Sequence, residues 1–359
     1  MDALKIIEEK IKGNVRLSKD DGLALLRCRD ILWLGQQAAA VKKQKNGDRV
    51  FYNVNCHINL TNVCISRCHF CAFSRDETDS DAYVMDVQEV LRRLRAASSA
   101  GITEVHIVSG LHPTCPFSYY LDILRAVRHE FPSVHIKAFT PVEIHYFSKI
   151  TGLTVQQVLE QLVAAGVQSL PGGGAEVLSD RVRQQLCPNK AGAREWLAIM
   201  ETAHKMGLKS NATILFGHIE TEEEVIDHLL AVRDLQDRTG GFQAFIPLVF
   251  HPANTKLSHL TKPTAFEQLR MIAVSRLMLD NIEHIKAYWV MTGLKIAQLA
   301  LFFGADDIDG TVIEERITHA AGAQSERGVS QQQLTELIRQ AGKIPVERDT
   351  LYTVLRAAH

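Results

Sequence analysis

Three cysteines, Cys64, Cys68 and Cys71, fall within the stretch CISRCHFC and could bind a metal together. A disulfide uses two thiols and a structural zinc site uses four ligands, so three is an unusual number. A [4Fe-4S] cluster has four irons that are usually held by four thiolates. Three thiolates would leave one iron open to a ligand, as expected of a catalytic centre. A zinc ion completed by His57 or His69 is the alternative.

The elements that must position these cysteines follow a rhythm of short β-like runs and helical stretches. Alternating strands and helices predict a parallel α/β fold, and eight strands close a (β/α)8 TIM-type barrel. A doubly wound open sheet is the alternative. The cysteine loop then follows the first strand, at the end of the barrel where active sites lie. The eight runs are 52–61, 103–109, 134–140, 167–171, 209–216, 241–248, 284–290 and 300–305.

The same patterns divide the chain into three parts. Residues 1–50 are predicted to form a helical N-terminal segment, and residues 51–310 the barrel. Residues 311–359 are predicted to form a helical C-terminal extension packed on the barrel.

Polar residues alternate with apolar ones along three of the runs, as in Asn53 to Asn59, His135 to Lys137 and His284 to Tyr288. Side chains alternate between the two faces of a strand, and a barrel strand is normally covered on both faces. The polar faces should therefore point into the barrel, which predicts a lumen that holds a ligand. An internal hydrogen-bond network is the alternative.

Composition excludes several classes of protein. The 359 residues carry a net charge of -1, with 46% hydrophobic and 23% charged residues, which is typical of a globular protein without a nucleic-acid surface. No apolar run approaches the ~20 residues that span a membrane, and the charged N-terminal helix pattern is not a signal peptide. A cytoplasmic location is therefore expected, and the four remaining cysteines are predicted to be buried packing residues.

The stretch CISRCHFC resembles the cluster loop of the radical S-adenosylmethionine superfamily, including an aromatic residue, Phe70, before the last cysteine. Further stretches resemble the menaquinone- and deazaflavin-pathway branch of that superfamily. Within the branch, four stretches are most similar to the aminofutalosine synthase family, and the sister dehypoxanthine futalosine cyclases are similar over the same length. The branch stretches are 110–113, 171–176, 211–221, 235–248 and 276–281, and the four others are 135–144, 284–293, 306–311 and 347–352.

The resemblance implies a chemistry. Cys64, Cys68 and Cys71 would hold a [4Fe-4S] cluster, and S-adenosylmethionine would be cleaved to methionine and a 5′-deoxyadenosyl radical. The radical would add to 3-[(1-carboxyvinyl)oxy]benzoate with loss of carbon dioxide, giving 6-amino-6-deoxyfutalosine for menaquinone biosynthesis. A flavodoxin or ferredoxin would supply the electron. The alternatives are the sister cyclase or a related deazaflavin-pathway enzyme, and a non-enzymatic structural zinc or iron–sulfur protein.

The resemblance and the strand positions together assign candidate residues. Lys137, Lys286, His112 and His218 are the candidates for meeting the two substrate carboxylates. Phe70 is the candidate beside the cluster. Ser109 and Gly110 follow the second predicted strand, where the superfamily often binds the methionine amino group of S-adenosylmethionine, and this sequence has Ser-Gly-Leu there. The candidates for the nucleoside are Gly172, Gly173, Gly174, Glu176, Asn211 and Thr213.

Overall fold

A parallel sheet of seven strands forms the centre of the protein in a computed structural model that describes residues 3–357. Each strand pairs with the next along the chain, from β2 to β8. Neighbouring strands are joined by helices, which is the arrangement that parallel pairing requires. The strands are β2 (Asn55–Asn59), β3 (Glu104–Val108), β4 (His135–Ala138), β5 (Ser169–Leu170), β6 (Lys209–Phe216), β7 (Phe242–Val249) and β8 (His284–Ile285).

The segment 307–313 closes the curled sheet between β8 and β2. Lys286 bridges Asp307 on one side, and Cys56 bridges Ile313 on the other. The amide of Ala287 donates to the carbonyl of Asp307 at 2.8 Å, and the amide of His57 donates to that of Ile313 at 2.8 Å. The predicted parallel TIM-type barrel is confirmed, with an irregular eighth wall.

A smaller sheet lies against the barrel in the order β11-β10-β1-β9. Strand β1 pairs in parallel with both β9 and β10, and β11 is antiparallel to β10. The strands are β1 (Arg49–Asn53), β9 (Asp307–Gly310), β10 (Ile344–Arg348) and β11 (Val354–Ala357).

The helices are bounded by local signals in the sequence. In the helix Glu222–Thr239, for example, Thr221 and Glu224 form a capping box at the start, and Gly240 ends the helix at φ 59°. No helix among residues 3–357 has the length and apolar character to cross a membrane. The helices are α1 (Ala3–Lys12), α2 (Lys19–Leu26), α3 (Ile31–Asn46), α4 (Val87–Ser98), α5 (Phe117–Glu130), α6 (Pro141–Thr151), α7 (Val155–Ala165), α8 (Asp180–Leu186), α9 (Ala193–Lys205), α10 (Glu222–Thr239), α11 (Ala265–Met278), α12 (Trp289–Thr292), α13 (Leu294–Ala300), α14 (Ile317–Ala320) and α15 (Gln331–Gln340).

Three predicted strands are wrong in detail, and one of them, the run 284–290, is a strand only at His284–Ile285 and enters α12 at Trp289. The run 52–61 divides at Val54 into β1 and β2, which belong to different sheets. The run 300–305 is a turn after α13, and the eighth wall begins at Asp307 instead. A short apolar run has the same composition in a strand and at the buried end of a helix, so periodicity cannot separate the two.

The predicted helical C-terminal extension is also wrong in part, because it contains β10 and β11 beside α14 and α15. Strand β10 pairs with β1 from Arg49↔Ile344 to Tyr52↔Glu347. This pairing joins parts of the chain that are almost 300 residues apart in sequence, from Arg49↔Ile344 onwards, so no local pattern within residues 311–359 reveals it.

Candidate active site

A cavity of about 340 Å³ opens at the carboxyl ends of the barrel strands and continues into the lumen. The cysteine loop and the Gly172–Gly174 turn line its upper part. Polar side chains on the inner faces of the strands line its floor. The floor residues include His57, Glu104, His106, Lys137, Lys286 and Asp309.

The cysteine loop is tied to its surroundings by backbone hydrogen bonds. The amide of Cys64 donates to the carbonyl of Arg75 at 3.2 Å, and the amide of Ile65 donates to that of Leu111 at 3.0 Å. The amide of His69 donates to the carbonyl of Leu186 at 2.8 Å. The loop is therefore held at several points against neighbouring βα loops.

The three cysteines of the loop all line the cavity and are free thiols. Burial raises the pKa of Cys68 and of Cys71. The nearby Lys190 opposes this shift in both. Three sulfur donors beside a buried cation fit an iron–sulfur cluster, which binds thiolates. Within residues 3–357, no three His, Cys, Asp or Glu side chains converge as ligands of a single metal ion.

Unpartnered polar atoms around the cavity fit a bound organic ligand as well. The hydroxyls of Ser66 and Ser109 and the side-chain oxygen of Asn59 are buried without a hydrogen-bond partner among the described residues. All three residues line the cavity. A buried polar atom without a partner is costly, so these atoms are placed to contact a ligand such as S-adenosylmethionine.

Two of the predicted glycines allow close approaches between backbones. A side chain at Gly110 would collide with the carbonyl oxygen of Val63, just before the cysteine loop. A side chain at Gly172 would collide with the backbone of Asn211. These contacts draw the loops after β3 and β5 towards their neighbours, and Gly173 and Gly174 then border the cavity.

Glu176 lines the cavity as predicted, but it is already paired. Its Oε1 accepts from Lys190 Nζ at 2.6 Å, and that ammonium also lies 5.1 Å from the ring centre of Phe70. Lys190 thus connects the cysteine loop to the glycine turn. Sequence reasoning missed Lys190, because it follows α8 and precedes α9, where a lysine is ordinarily exposed.

Asn211 and Thr213 lie on one face of β6 and line the cavity. Thr213 Oγ1 donates to the carbonyl of Gly172 at 2.8 Å, so this hydroxyl supports the glycine turn. Asn211 is 5% exposed and leaves its side chain facing the cavity.

Lys137 and Lys286 point into the lumen as predicted, and each is paired with a carboxylate. Lys137 Nζ lies 2.7 Å from Glu104 Oε2, and Lys286 Nζ lies 2.8 Å from Asp309 Oδ1. All four side chains are nearly or fully enclosed. The pairing of these carboxylates with the lysines was missed because the partners lie on different strands, Glu104 on β3 and Asp309 on β9.

His112 and His218 do not line the cavity, so the prediction that they meet the substrate is wrong in placement. His112 Nδ1 accepts from the amides of Thr114 and Cys115 at 3.2 and 3.3 Å. His218 Nδ1 accepts from the amide of Ile219 at 2.7 Å and lies 2.8 Å from Glu220. Each imidazole folds back to order its own loop, because local backbone amides are the nearest donors.

Glu143 is a further residue that the sequence analysis missed. One of its oxygens accepts from the amide of Ser109 at 2.7 Å, and the other accepts from the amide of Thr140 at 2.7 Å. Burial raises its pKa to about 7. The capping pattern of Thr140 and Glu143 is visible in the sequence, but it predicts a helix start only. Glu143 links the loops after β3 and β4 at the cavity wall.

Comparison with known families agrees with this geometry. Residues 58–232 match the radical SAM superfamily, and residues 239–359 match the CofH/MqnC C-terminal region. Among solved structures, methylornithine synthase (PylB) superposes with a TM-score of 0.76 at 18% identity, covering 94% of this chain and 97% of that one. At that identity the likeness concerns the fold.

Two curated relatives are similar over almost the whole chain. The aminodeoxyfutalosine synthase of Thermus thermophilus is 44% identical, covering 98% of this chain and 95% of its own. The 5-amino-6-(D-ribitylamino)uracil--L-tyrosine 4-hydroxyphenyl transferase of Methanocaldococcus jannaschii is 38% identical, covering 99% of this chain and 100% of its own.

Proposed function

The chain belongs to the radical S-adenosylmethionine superfamily, and we propose that it acts there as an aminodeoxyfutalosine synthase. It is a radical enzyme of the transferase type that uses a [4Fe-4S] cluster and S-adenosylmethionine. In the proposed reaction the adenosyl group is joined to 3-[(1-carboxyvinyl)oxy]benzoate. The two substrates give 6-amino-6-deoxyfutalosine, methionine and carbon dioxide, so atoms and charge balance.

The observation that supports the proposal most is the full-length similarity to aminodeoxyfutalosine synthases. The lumen adds chemical support, because Lys137 and Lys286 border a cavity that a dicarboxylate would enter. A reduced cluster held by Cys64, Cys68 and Cys71 would supply the electron for the cleavage of S-adenosylmethionine.

The chain's own residues bind, orient and shield the reactants. Cys64, Cys68 and Cys71 would hold the cluster, and Ser109 and the Gly172–Gly174 turn border the path of the nucleoside. Enclosure within the lumen would protect a radical from side reactions. Lys190 connects these two regions, because it contacts Phe70 in the cysteine loop and Glu176 just after the glycine turn.

A second candidate is the transfer of a 4-hydroxyphenyl group from tyrosine to 5-amino-6-(D-ribitylamino)uracil, as the name of the Methanocaldococcus relative describes for that protein. The similarity of that relative over the whole chain makes this transfer the second-best supported function. The two candidates differ in charge, because one substrate is a dicarboxylate and tyrosine is a zwitterion.

An anaerobic reaction read by mass spectrometry tests the proposal. Reconstituted protein, S-adenosylmethionine and a reductant are combined with the dicarboxylate, or with tyrosine and the ribitylaminouracil. We expect an adenosyl adduct that has lost carbon dioxide in the first mixture only. A coupled product in the second mixture would assign the chain to the other transferase. Free 5′-deoxyadenosine without an adduct would point to a hydrogen-abstracting relative such as the cyclase.

The proposal includes a flavodoxin or ferredoxin as the electron donor and a cytoplasmic location. A cognate flavodoxin in place of the chemical reductant is expected to support turnover in the same assay.

A further inference from the structure

Two histidines stand side by side on the floor of the lumen. His57 on β2 and His106 on β3 are register partners, and their ring centres are 4.5 Å apart. Both line the cavity. His57 is 8% exposed, and its Nε2 is enclosed without a hydrogen-bond partner among the described residues. Buried imidazoles usually have partners, so this pair is placed to receive one from a ligand.

The charged groups around the pair balance one another. Lys137 is bonded to Glu104, and Lys286 is bonded to Asp309. Beneath them, Arg348 is bonded to Asp307. Three cations therefore face three carboxylates, and the floor offers no cation that lacks a partner within residues 3–357. Glu315, which also lines the cavity, is bonded to His319 at 2.9 Å.

A dicarboxylate that enters this lumen is incompletely compensated. S-adenosylmethionine carries one net positive charge, which offsets one of the two carboxylates. The second carboxylate would be buried beside a floor with no spare cation, and burying an unpaired charge is unfavourable because the ion loses its hydration. A proton delivered to a nearby base would remove that cost.

We propose that the His57–His106 pair takes up one proton when the dicarboxylate binds, and that the resulting imidazolium is the counter-ion of one substrate carboxylate. This assignment rests on the proposed function, because the charge argument uses a substrate with two carboxylates. It gives the lumen a further binding group for a carboxylate, since Lys137 and Lys286 are already paired with Glu104 and Asp309.

The electrostatic surroundings agree with an uptake that depends on the ligand. Burial lowers the pKa of His57 and of His106, so both are neutral near pH 7.5 in the free protein. Lys137 lowers the pKa of both histidines further, while Glu104 raises the pKa of both. Asp309 and Glu315 raise the pKa of His57. Lys286 lowers that of His106. An incoming carboxylate raises the pKa of the pair, and repulsion across 4.5 Å limits the uptake to one proton.

Calorimetry in buffers of different ionisation enthalpy measures the uptake directly. The holoenzyme is kept oxidised, so that it binds but does not react, and is saturated with S-adenosylmethionine before the dicarboxylate is titrated at pH 7.5. The slope of the binding enthalpy against the buffer enthalpy gives the protons bound. We expect about one proton per substrate. A benzoate ether without the enol carboxylate should take up none.

Variants assign the proton to the pair. His57→Gln with His106→Gln should abolish the uptake and weaken binding at least ~10-fold, since a charge-assisted bond is lost. His135→Gln is the matched control, because His135 on β4 is bonded to Ser169 and does not line the cavity. It should keep the full uptake.

The outcomes separate this inference from the proposed function. Adduct formation without proton uptake in the wild type, or unchanged uptake in the double variant, would overturn the inference and leave the function standing. Absence of both dicarboxylate binding and adduct would overturn the two together.

Discussion

The cavity depends first on single side chains with definite chemical roles. Cys64→Ala, Cys68→Ala and Cys71→Ala are each expected to lose the cluster and all formation of 5′-deoxyadenosyl products, because each removes one of three thiolates at the mouth of the cavity. The iron and sulfide content measures the loss of the cluster. The amount of 5′-deoxyadenosyl product measures the loss of activity. Cys115→Ala, which changes a half-buried thiol outside the cavity lining, should retain both. Full turnover in any of the three variants would refute the cluster assignment.

Lys190 is expected to position Glu176 and Phe70 where the nucleoside of S-adenosylmethionine binds. Lys190→Met removes the ammonium and leaves a buried carboxylate unpaired, so the Kd for S-adenosylmethionine should rise at least ~10-fold. Equilibrium binding to the oxidised holoenzyme measures it. Lys190→Arg keeps the charge and should recover part of the affinity. Equal affinities in the wild type and the Met variant would exclude this role.

Lys137 and Lys286 are expected to act on the second substrate. Lys137→Met and Lys286→Met should raise the KM for the dicarboxylate ~10-fold or more, with a smaller effect on the KM for S-adenosylmethionine, because the lysines lie on the lumen floor. Steady-state kinetics with each substrate varied in turn separate the two. Lys149→Ala, at an exposed position on α6, serves as the control. Unchanged kinetics in both floor variants would contradict our account of the lumen.

At the scale of elements, the C-terminal segment from Arg348, the last residue of β10, onwards closes the lower end of the lumen. Arg348 Nε donates to Asp307 Oδ2 at 2.7 Å, and Tyr352 OH donates to the same oxygen at 2.8 Å. Thr350 Oγ1 donates to Glu104 Oε2 at 2.8 Å, the oxygen that also accepts from Lys137. The extension is thus part of the floor and not only a cover on the barrel.

Removing the arginine should therefore destabilise the fold much more than removing the phenol. Arg348→Met leaves a fully buried Asp307 without its main cation, which should cost about 3–5 kcal/mol of unfolding free energy. Tyr352→Phe removes one hydrogen bond and should cost about 1 kcal/mol. Urea denaturation followed by circular dichroism measures both. Similar losses in the two variants would show that the ion pair does not dominate.

At the scale of the whole molecule, buried neutral histidines should make the protein sensitive to mild acid. Burial lowers the pKa of His135 and His204 to about 4 and that of His228 to about 3. Below the unfolded value of about 6.5 the unfolded chain binds more protons than the folded one, so stability falls as pH drops from ~7 to ~5. Carboxylates whose pKa is lowered in the folded protein reduce the free energy of unfolding further only below about pH 4.5, where the unfolded chain begins to protonate them.

The urea midpoint measured from pH 7.5 to 5.5 checks this expectation. In His204→Gln, the loss of unfolding free energy between pH 7.5 and 5.5 should be about 1 kcal/mol smaller than in the wild type, because one proton-linked site is removed. His129→Gln, at an exposed position on α5, should leave the slope unchanged. A wild-type midpoint that does not fall with pH would contradict the prediction.

Much of the architecture is visible in the sequence, because periodicity and caps act over a few residues. Alternating polar residues placed Lys137 and Lys286 on inner faces, and the spacing of Cys64, Cys68 and Cys71 indicated the cluster loop. These properties depend on strand geometry and on the number of thiolates alone. The identity of the closing strand was missed, because short apolar runs look alike in strands and helix ends.

The tertiary structure alone decided which groups meet. Glu104 and Lys137 are 33 residues apart, and Asp307 and Arg348 are 41 apart, yet each pair is in contact. The structure places Lys190, which the sequence did not single out, in the site, and it places His112, a predicted site residue, outside the cavity lining. Local patterns determine which face of an element a side chain occupies. Partners across a barrel depend on strand register and closure, which are set by contacts between distant parts of the chain.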